Sequence, residues 1–302
     1  MFRNIYLRNP AQITLDHYQL AITTLDSTYH FPFDDVQSLL IENLKSSIST
    51  AALAELASHG IAVITCDAQH LPIATLLPFQ GYYQHLKTLN YQLKLTKRFK
   101  DRLTRKIIKQ KISNQAATLS LVSGKPQTAL QQLAAQVTDG DDSARESIAA
   151  KAYFAKLGGP KFSRRQENLT NGALNYGYAI VRSCLARELI QFGFEPALGF
   201  NHHNQQNAFN LADDLIEPFR PAVELYVFTK LATSSAEELT SSMKAHLLNL
   251  LSYEVIIQGE RQSIQYAIHL VVESLWGVCQ IQKSTQLVLP EIVALRVHEN
   301  GE

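Results

Sequence analysis

The residues best suited to chemistry lie between Phe194 and Pro221, in the stretch F-E-P-A-L-G-F-N-H-H-N-Q-Q-N-A-F-N-L-A-D-D-L-I-E-P-F-R-P. A histidine pair, His202 and His203, precedes Asp213, Asp214 and Glu217, and Glu217 follows the two aspartates by four and three residues. On a helix that spacing puts carboxylates on one side. A turn at Gly199 and a loop rich in Asn and Gln would let imidazole and carboxylate converge. One imidazole with several carboxylate oxygens suits a divalent cation such as Mg2+ or Mn2+, and zinc takes the same ligand types. The plainer alternative is a solvated acidic helix face beside a surface histidine, and periodicity does not choose among the three acids.

Two other places carry charge with a pattern. Lys94, Lys97, Arg98, Lys100, Arg102, Arg105, Lys106, Lys109 and Lys111 form a basic run opposed within it only by Asp101. Through it Leu86, Leu89, Leu93, Phe99, Leu103, Ile107 and Ile112 recur at mostly helical intervals and predict an inward stripe. An ordinary exposed helix mixes acids and bases, so the single sign reads as a face for a phosphate backbone, with a merely solvated face as the alternative. The second place is Glu146 in A-R-E-S-I-A-A-K-A-Y-F-A-K-L, one turn before Ala149 and Ala150. Small neighbours would let its carboxylate reach a cleft, although a first-turn glutamate is also favoured by the helix dipole, by about 0.3–1 kcal/mol.

The rest of the chain must position these groups. Its 302 residues imply one large or two modest domains, and 46% hydrophobic with 18% charged content is that of an ordinary globular protein. A net charge of +1 makes any nucleic-acid contact a matter of local patches. Cys66, Cys184 and Cys279 are odd in number and far apart among apolar neighbours, as reduced core thiols are. The first ten residues lack a signal-peptide core and no later run is long and apolar enough to span a bilayer, so a cytoplasmic protein without membrane contact is expected. There is no P-loop, dinucleotide fingerprint, G-x-S-x-G elbow or paired C-x-x-C.

Up to about residue 80 the pattern favours strands: N-I-Y-L-R, Q-I-T-L-D, Q-L-A-I-T-T-L, V-Q-S-L-L-I-E and the buried run G-I-A-V-I-T-C-D. One helix, capped by Ser49 or Thr50 and stopped by Gly60, interrupts them. Afterwards the periodicity is helical, including the stripe Leu174, Tyr178, Val181, Leu185 and Leu189. Arg182 and Arg187 face either phosphate or the acids Glu188 and Asp214. Beyond Pro221 the pattern predicts helices, one capped by Ser234-Ser235, with His269 and Trp276 as packing residues and an apolar tail that docks on this chain or a partner. The expected fold is α+β, with a strand-rich domain over 1–80 and a larger, mainly helical domain over 81–302.

A-L-G-F-N-H-H-N followed by A-F-N-L-A-D-D-L-I-E-P-F-R-P resembles the signature of the CRISPR-associated spacer-acquisition integrases, the Cas one family, and D-D-L-I-E-P-F-R-P is similar to its type II branch. R-E-S-I-A-A-K-A-Y-F with K-F-S-R-R, L-N-Y-G-Y-A and A-A-L-A-E-L-A-S-H-G with V-I-T-C-D extend the likeness. The resemblance implies that Glu146, His202 and Glu217 are catalytic and hold Mg2+ or Mn2+, with Asp213 and Asp214 nearby and Asp214 orienting a ligand or pairing with an arginine. Lys94, Lys97, Arg98, Arg102, Arg105, Lys106 and Lys109 would contact double-stranded DNA. The implied activity is an integrase and endonuclease that inserts short foreign fragments into a CRISPR repeat by 3′-hydroxyl transesterification. The strand-rich domain would make a homodimer, two of which are bridged by a dimer of the small Cas two protein. Two other classes use parts of the same set: a stand-alone nuclease on branched DNA, with water as nucleophile, and a DNA-binding scaffold without metal dependence.

Overall fold

The computed structural model describes residues 3–76, 84–232, 234 and 236–298, and the domain boundary expected at residue 80 lies outside them. The amino-terminal part contains β1 (Arg3–Leu7), β2 (Gln12–Asp16), β3 (Gln19–Thr23), β4 (Thr28–Pro32), β5 (Val36–Ile41), the short β6 (Ser47–Ile48), α1 (Thr50–Ser58), β7 (Ala62–Cys66) and β8 (Pro72–Thr75). One sheet has the order β1-β5-β7-β8, parallel except for β8; the other has the order β4-β3-β2-β6. Strand alternation explains how the first sheet is used twice. Leu39 and Val63 point into a core shared with Ile13, Leu20 and Leu56, whereas their neighbours Leu40, Ala62 and Ile64 join the helical core on the opposite face. Covered on both sides, β7 is apolar nearly throughout. Ser49 is the cap of α1, its hydroxyl accepting from the Ala52 N–H. The strand β4 is not anticipated by the pattern because T-Y-H-F-P is mostly exposed and is held to β3 chiefly by its backbone ladder, with a Thr28–Thr23 hydroxyl bond of 3.1 Å beside it.

The helical part runs α2 (His85–Leu93), α3 (Lys97–Ser123), α4 (Thr128–Ala135), α5 (Arg145–Leu157), α6 (Leu169–Gln191), α7 (Asn210–Leu215), α8 (Arg220–Tyr226) and α9 (Ser241–Asn249). The hairpin β9 (Tyr253–Ile257) and β10 (Glu260–Ser263), the helix α10 (Ile264–Ile281) and β11 (Glu291–Val297) complete it. α6 is buried on nearly every side, against α8, α9, α10 and β7. The 27 residues of α3 lie between two cores, Phe99, Leu103 and Ile107 in one and Ile108, Ile112 and Leu119 in the other, which leaves a narrow solvent strip. No helix among the described residues is long and apolar enough to cross a membrane. Cys66, Cys184 and Cys279 are buried and free, and burial pushes their thiols up to about 12, 11 and 12.

Three local expectations are corrected. Leu86 and Leu93 of α2 do not face inward, being 71% and 65% exposed. The helix docks instead through polar bonds: Thr88 donates to the Phe192 carbonyl, Gln92 to that of Glu195, and Trp276 donates to Thr88. The cap of α9 is Thr240, whose hydroxyl accepts from Met243 N–H; Ser234 lies well before it and Ser235 outside the described residues. Finally, the segment beyond Pro221 is not wholly helical. Gln258 and Gly259 both have positive φ, +54° and +84°, and make a two-residue hairpin turn between β9 and β10. The apolar tail then docks on its own chain, where β11 pairs with β9.

Candidate active site

Four segments meet at one small cavity lined by Thr104, Ile107, Ile108, Glu146, Asn201, His202, Asp214 and Glu217. The His202 loop is tied down by its asparagines. Asn210 donates to the carbonyls of Ala197, Asn204 and Asn207, and accepts from Asn204 N–H. At Gly199 a Cβ would collide with the His202 carbonyl and stand 3.0 Å from Asp214 Oδ2, so glycine permits the loop to fold back onto that carboxylate. Asp214, 3% exposed, accepts the N–H groups of Phe200 (2.5 Å), Asn201 (3.1 Å) and His202 (3.1 Å). Its Oδ1 is also 2.7 Å from His202 Nδ1. With Nδ1–H donated there, Nε2 is the ring atom left for a ligand, and the same bond raises the pKa of His202 above its ordinary value.

The three acids do not share one side. α7 ends at Leu215 and the chain tightens, Phe219 N–H donating to the Ile216 carbonyl at 2.8 Å. Asp214 and Glu217 thereby line the cavity, while Asp213 turns to α6 and takes Arg182 at 2.6 and 3.1 Å, with Asn207 at 2.5 Å. Arg182 thus bridges to Asp213 rather than Asp214, and Arg187 reaches Glu188 at 3.1 Å. His203 is exposed.

Glu146 stands in the first turn of α5, where the Asp141 carboxylate accepts the N–H groups of Arg145 and Glu146. Its Oε1 is 2.5 Å from Lys111 Nζ, which is also 2.5 Å from Glu217 Oε2. The other Glu217 oxygen is 2.9 Å from Arg220 Nε. Burial pushes the Glu217 carboxyl up, but Lys111 and then Arg220 outweigh it and draw it down to about 2. Arg220 stacks over Tyr178, 4.5 Å from the ring centroid, and the Tyr178 hydroxyl donates to the buried Glu224 at 2.6 Å. Asn114 fixes the following turn by donating to the carbonyls of Pro218 and Pro290.

Lys111, which the sequence reading counted with the outward basic run, and Asn114, which it passed over, both stand beside the candidate site. Lys111 sits four residues after Ile107 and three after Ile108, on the apolar side of α3, and that placement was the available signal. Among the described residues no three His, Cys, Asp or Glu side chains stand near enough to share one ion, and the Lys111 ammonium lies between Glu146 and Glu217. The donor set nevertheless fits a hard divalent cation: three carboxylates and an imidazole line one cavity, and the buried Glu217 Oε2 makes no well-aligned hydrogen bond.

The remaining basic run stays on the outside, Lys94 at the end of α2 and the others on α3. Lys94, Lys97, Arg98, Arg102, Arg105 and Lys109 are exposed, and Lys106 donates to the Thr285 carbonyl at 2.6 Å. Asp101 is not its sole opponent, since Lys97 pairs with Asp101 and both Arg102 and Arg105 approach Asp139. At about 100° per residue, Arg98, Arg102, Arg105 and Lys109 form one stripe, roughly a third of a turn or more from the cavity side of the helix.

Comparison with known proteins agrees with this architecture. The family model described as CRISPR associated protein Cas1 matches residues 5–249. The chain is 37% identical over 301 residues, 99% of each protein, to a CRISPR-associated endonuclease Cas1 of Neisseria meningitidis serogroup C (strain 8013). Its fold is similar to that of a casposase bound to integration product, with TM-score 0.74 and 21% identity over 93% of this chain and 92% of that one. It is also similar to part of a Cas6-RT-Cas1–Cas2 complex, with TM-score 0.71 and 17% identity over 95% of this chain and 36% of that one. Matched across most of its length by the family and along nearly all of it by a curated relative, this chain belongs to the Cas1 family.

Proposed function

We propose that this protein is a metal-dependent DNA strand-transfer enzyme of CRISPR adaptation that joins short DNA fragments to a repeat. The observation that carries the reading is the convergence of Glu146, His202 and Glu217, from three separate segments, on one cavity in a chain alike along its length to a Cas1 endonuclease. Glu146, Glu217 and His202 Nε2 would hold Mg2+ or Mn2+. When bound, such a cation neutralises charge on the phosphate and makes a hydroxyl a better nucleophile. The chain's own contribution is positioning. Asp214 fixes the imidazole tautomer, and Arg220 holds Glu217 against the cavity. In the reaction a fragment's 3′-hydroxyl attacks a repeat phosphodiester, so one P–O bond forms as another breaks and no outside energy source is needed. The partners in this reading are DNA and the small Cas two protein, in line with similar folds seen bound to an integration product and within a Cas1–Cas2 complex, together with a second copy of this chain.

The test is to incubate the purified protein, with and without that partner, with a labelled fragment, a supercoiled repeat plasmid and Mg2+ or Mn2+. Label should become covalently joined to plasmid and EDTA should abolish joining. Nicking without joining would favour the second reading, a nuclease that uses water, which the endonuclease name of the relative supports.

DNA backbone contact is assigned to the outer stripe of α3. Replacing Arg98, Arg102 and Lys109 with Gln is expected to weaken duplex binding alike on all sequences, each lost phosphate contact removing ~0.9 from the slope of log K against log salt. An unchanged slope would make this face merely solvated. Because the stripe is turned from the cavity, joining at saturating DNA should persist in the variant.

A further inference from the structure

Two carboxylates from different segments, Glu146 at the start of α5 and Glu217 after α7, are brought to one point by a single ammonium. Lys111 is 8% exposed and its Nζ is 2.5 Å from an oxygen of each. We propose that Lys111 is a placeholder cation: it holds Glu146 and Glu217 together in the metal-free protein, and a divalent ion enters by displacing it. The inference rests on the reading that these two acids and His202 are metal ligands.

The charge arrangement requires displacement rather than coexistence. Lys111 and Arg220 already balance the two glutamates, and a further doubly charged ion between the same oxygens would stand within contact of the ammonium, where like charges repel most strongly. Lysine suits an occupant that must leave. It is a point charge on a flexible four-carbon stem, whereas a guanidinium would clamp both carboxylates in a rigid fork. Ile107, Ile108 and Thr104, one and two turns back on the same helix, line the cavity beside it. Without such a counter-ion the two acids would repel each other, which destabilises the fold but leaves their oxygens open to a cation. Lys111 is therefore a positioning residue, pairing the two acids and competing with their ligand.

The experiment measures Mn2+ binding by the full-length protein, from the free-ion electron paramagnetic resonance signal, together with thermal unfolding in EDTA and in Mn2+. Lys111→Met should unfold at lower temperature than wild type in EDTA, bind Mn2+ about tenfold more tightly, and show a larger Mn2+-induced rise in melting temperature, since binding no longer waits on a minority open state. Lys111→Arg, which keeps the charge and the fold, should bind Mn2+ about tenfold more weakly than wild type, because the fork is harder to displace. An effect of net charge alone would leave Lys111→Arg at wild-type affinity, and that result overturns the proposal even if Lys111→Met does not fold. Equal Mn2+ affinity in wild type and Lys111→Met overturns it too. Absence of Mn2+ binding in all three folded proteins removes the metal reading itself, and the displacement with it.

Discussion

Replacing Glu217 with glutamine is expected to abolish strand joining while leaving duplex binding intact. The substitution preserves size and removes the charge on which the cavity is organised, and loss of an oxygen ligand should lower joining about 100-fold or more, at least the upper range seen for supporting residues of metal sites. It should also lower stability by about 3 kcal/mol, because Arg220 and Lys111 are left buried with one carboxylate fewer. The same variant carries a pH signature. In the folded protein the Glu217 carboxyl is drawn down to about 2 from an ordinary value of 4.5, so its stabilisation is full above about pH 4.5 and lost as pH falls toward 2. Acid unfolding of Glu217→Gln, followed by circular dichroism, should therefore be flatter than that of wild type across this window. Wild-type joining by Glu217→Gln would remove it from the site.

Asp214→Asn should be the more damaging of the aspartate changes, and His202→Ala separates its two effects. Asp214 accepts four donors, three backbone N–H groups and the imidazole, and an amide presents one acceptor oxygen and a donor group to the same ring of donors. Bonds to a charged acceptor contribute about 1.5–3 kcal/mol each, not additively, so the variant should lose about 3 kcal/mol or more of stability. Joining should fall a further 10–100-fold at temperatures where it remains folded, because the imidazole loses the partner that sets its tautomer. In contrast, His202 is only half-buried and its ring makes one strong bond. His202→Ala should melt close to wild type and still lose joining about 100-fold or more, as a ligand substitution does. Asp213→Asn, which disturbs Arg182 rather than the cavity, should be only partly impaired. If Asp214→Asn melts like wild type while His202→Ala unfolds, the supporting role belongs to the histidine and the account of the loop is wrong.

Much of this was legible in the chain because it depends on local periodicity and local chemistry. Alternation identified β1, β2 and β3, apolar runs marked β5 and β7, the cap at Ser49 or Thr50 and the stop at Gly60 framed α1, and the stripe through Leu185 identified α6. The motif around His202 and Glu217 identified the segments of the site. What failed depends on partners distant in sequence. Leu86 and Leu93 turned outward because the carbonyls of Phe192 and Glu195 captured Thr88 and Gln92 instead. The β9–β10 hairpin was hidden because a Gln-Gly turn is a weak signal and because β9 is completed by β11, which follows it only after the whole of α10. Above all, the direction in which Asp213, Asp214 and Glu217 turn was not in the spacing. It was set by Arg182 on α6, by the backbone of residues 200–202, and by Lys111 on α3, each of which drew one acid to a different neighbour. Sequence fixes which groups are present and how they repeat along an element; which way a charged group turns is decided by the counter-charges that packing brings beside it, because a buried charge is stable only where its partner is.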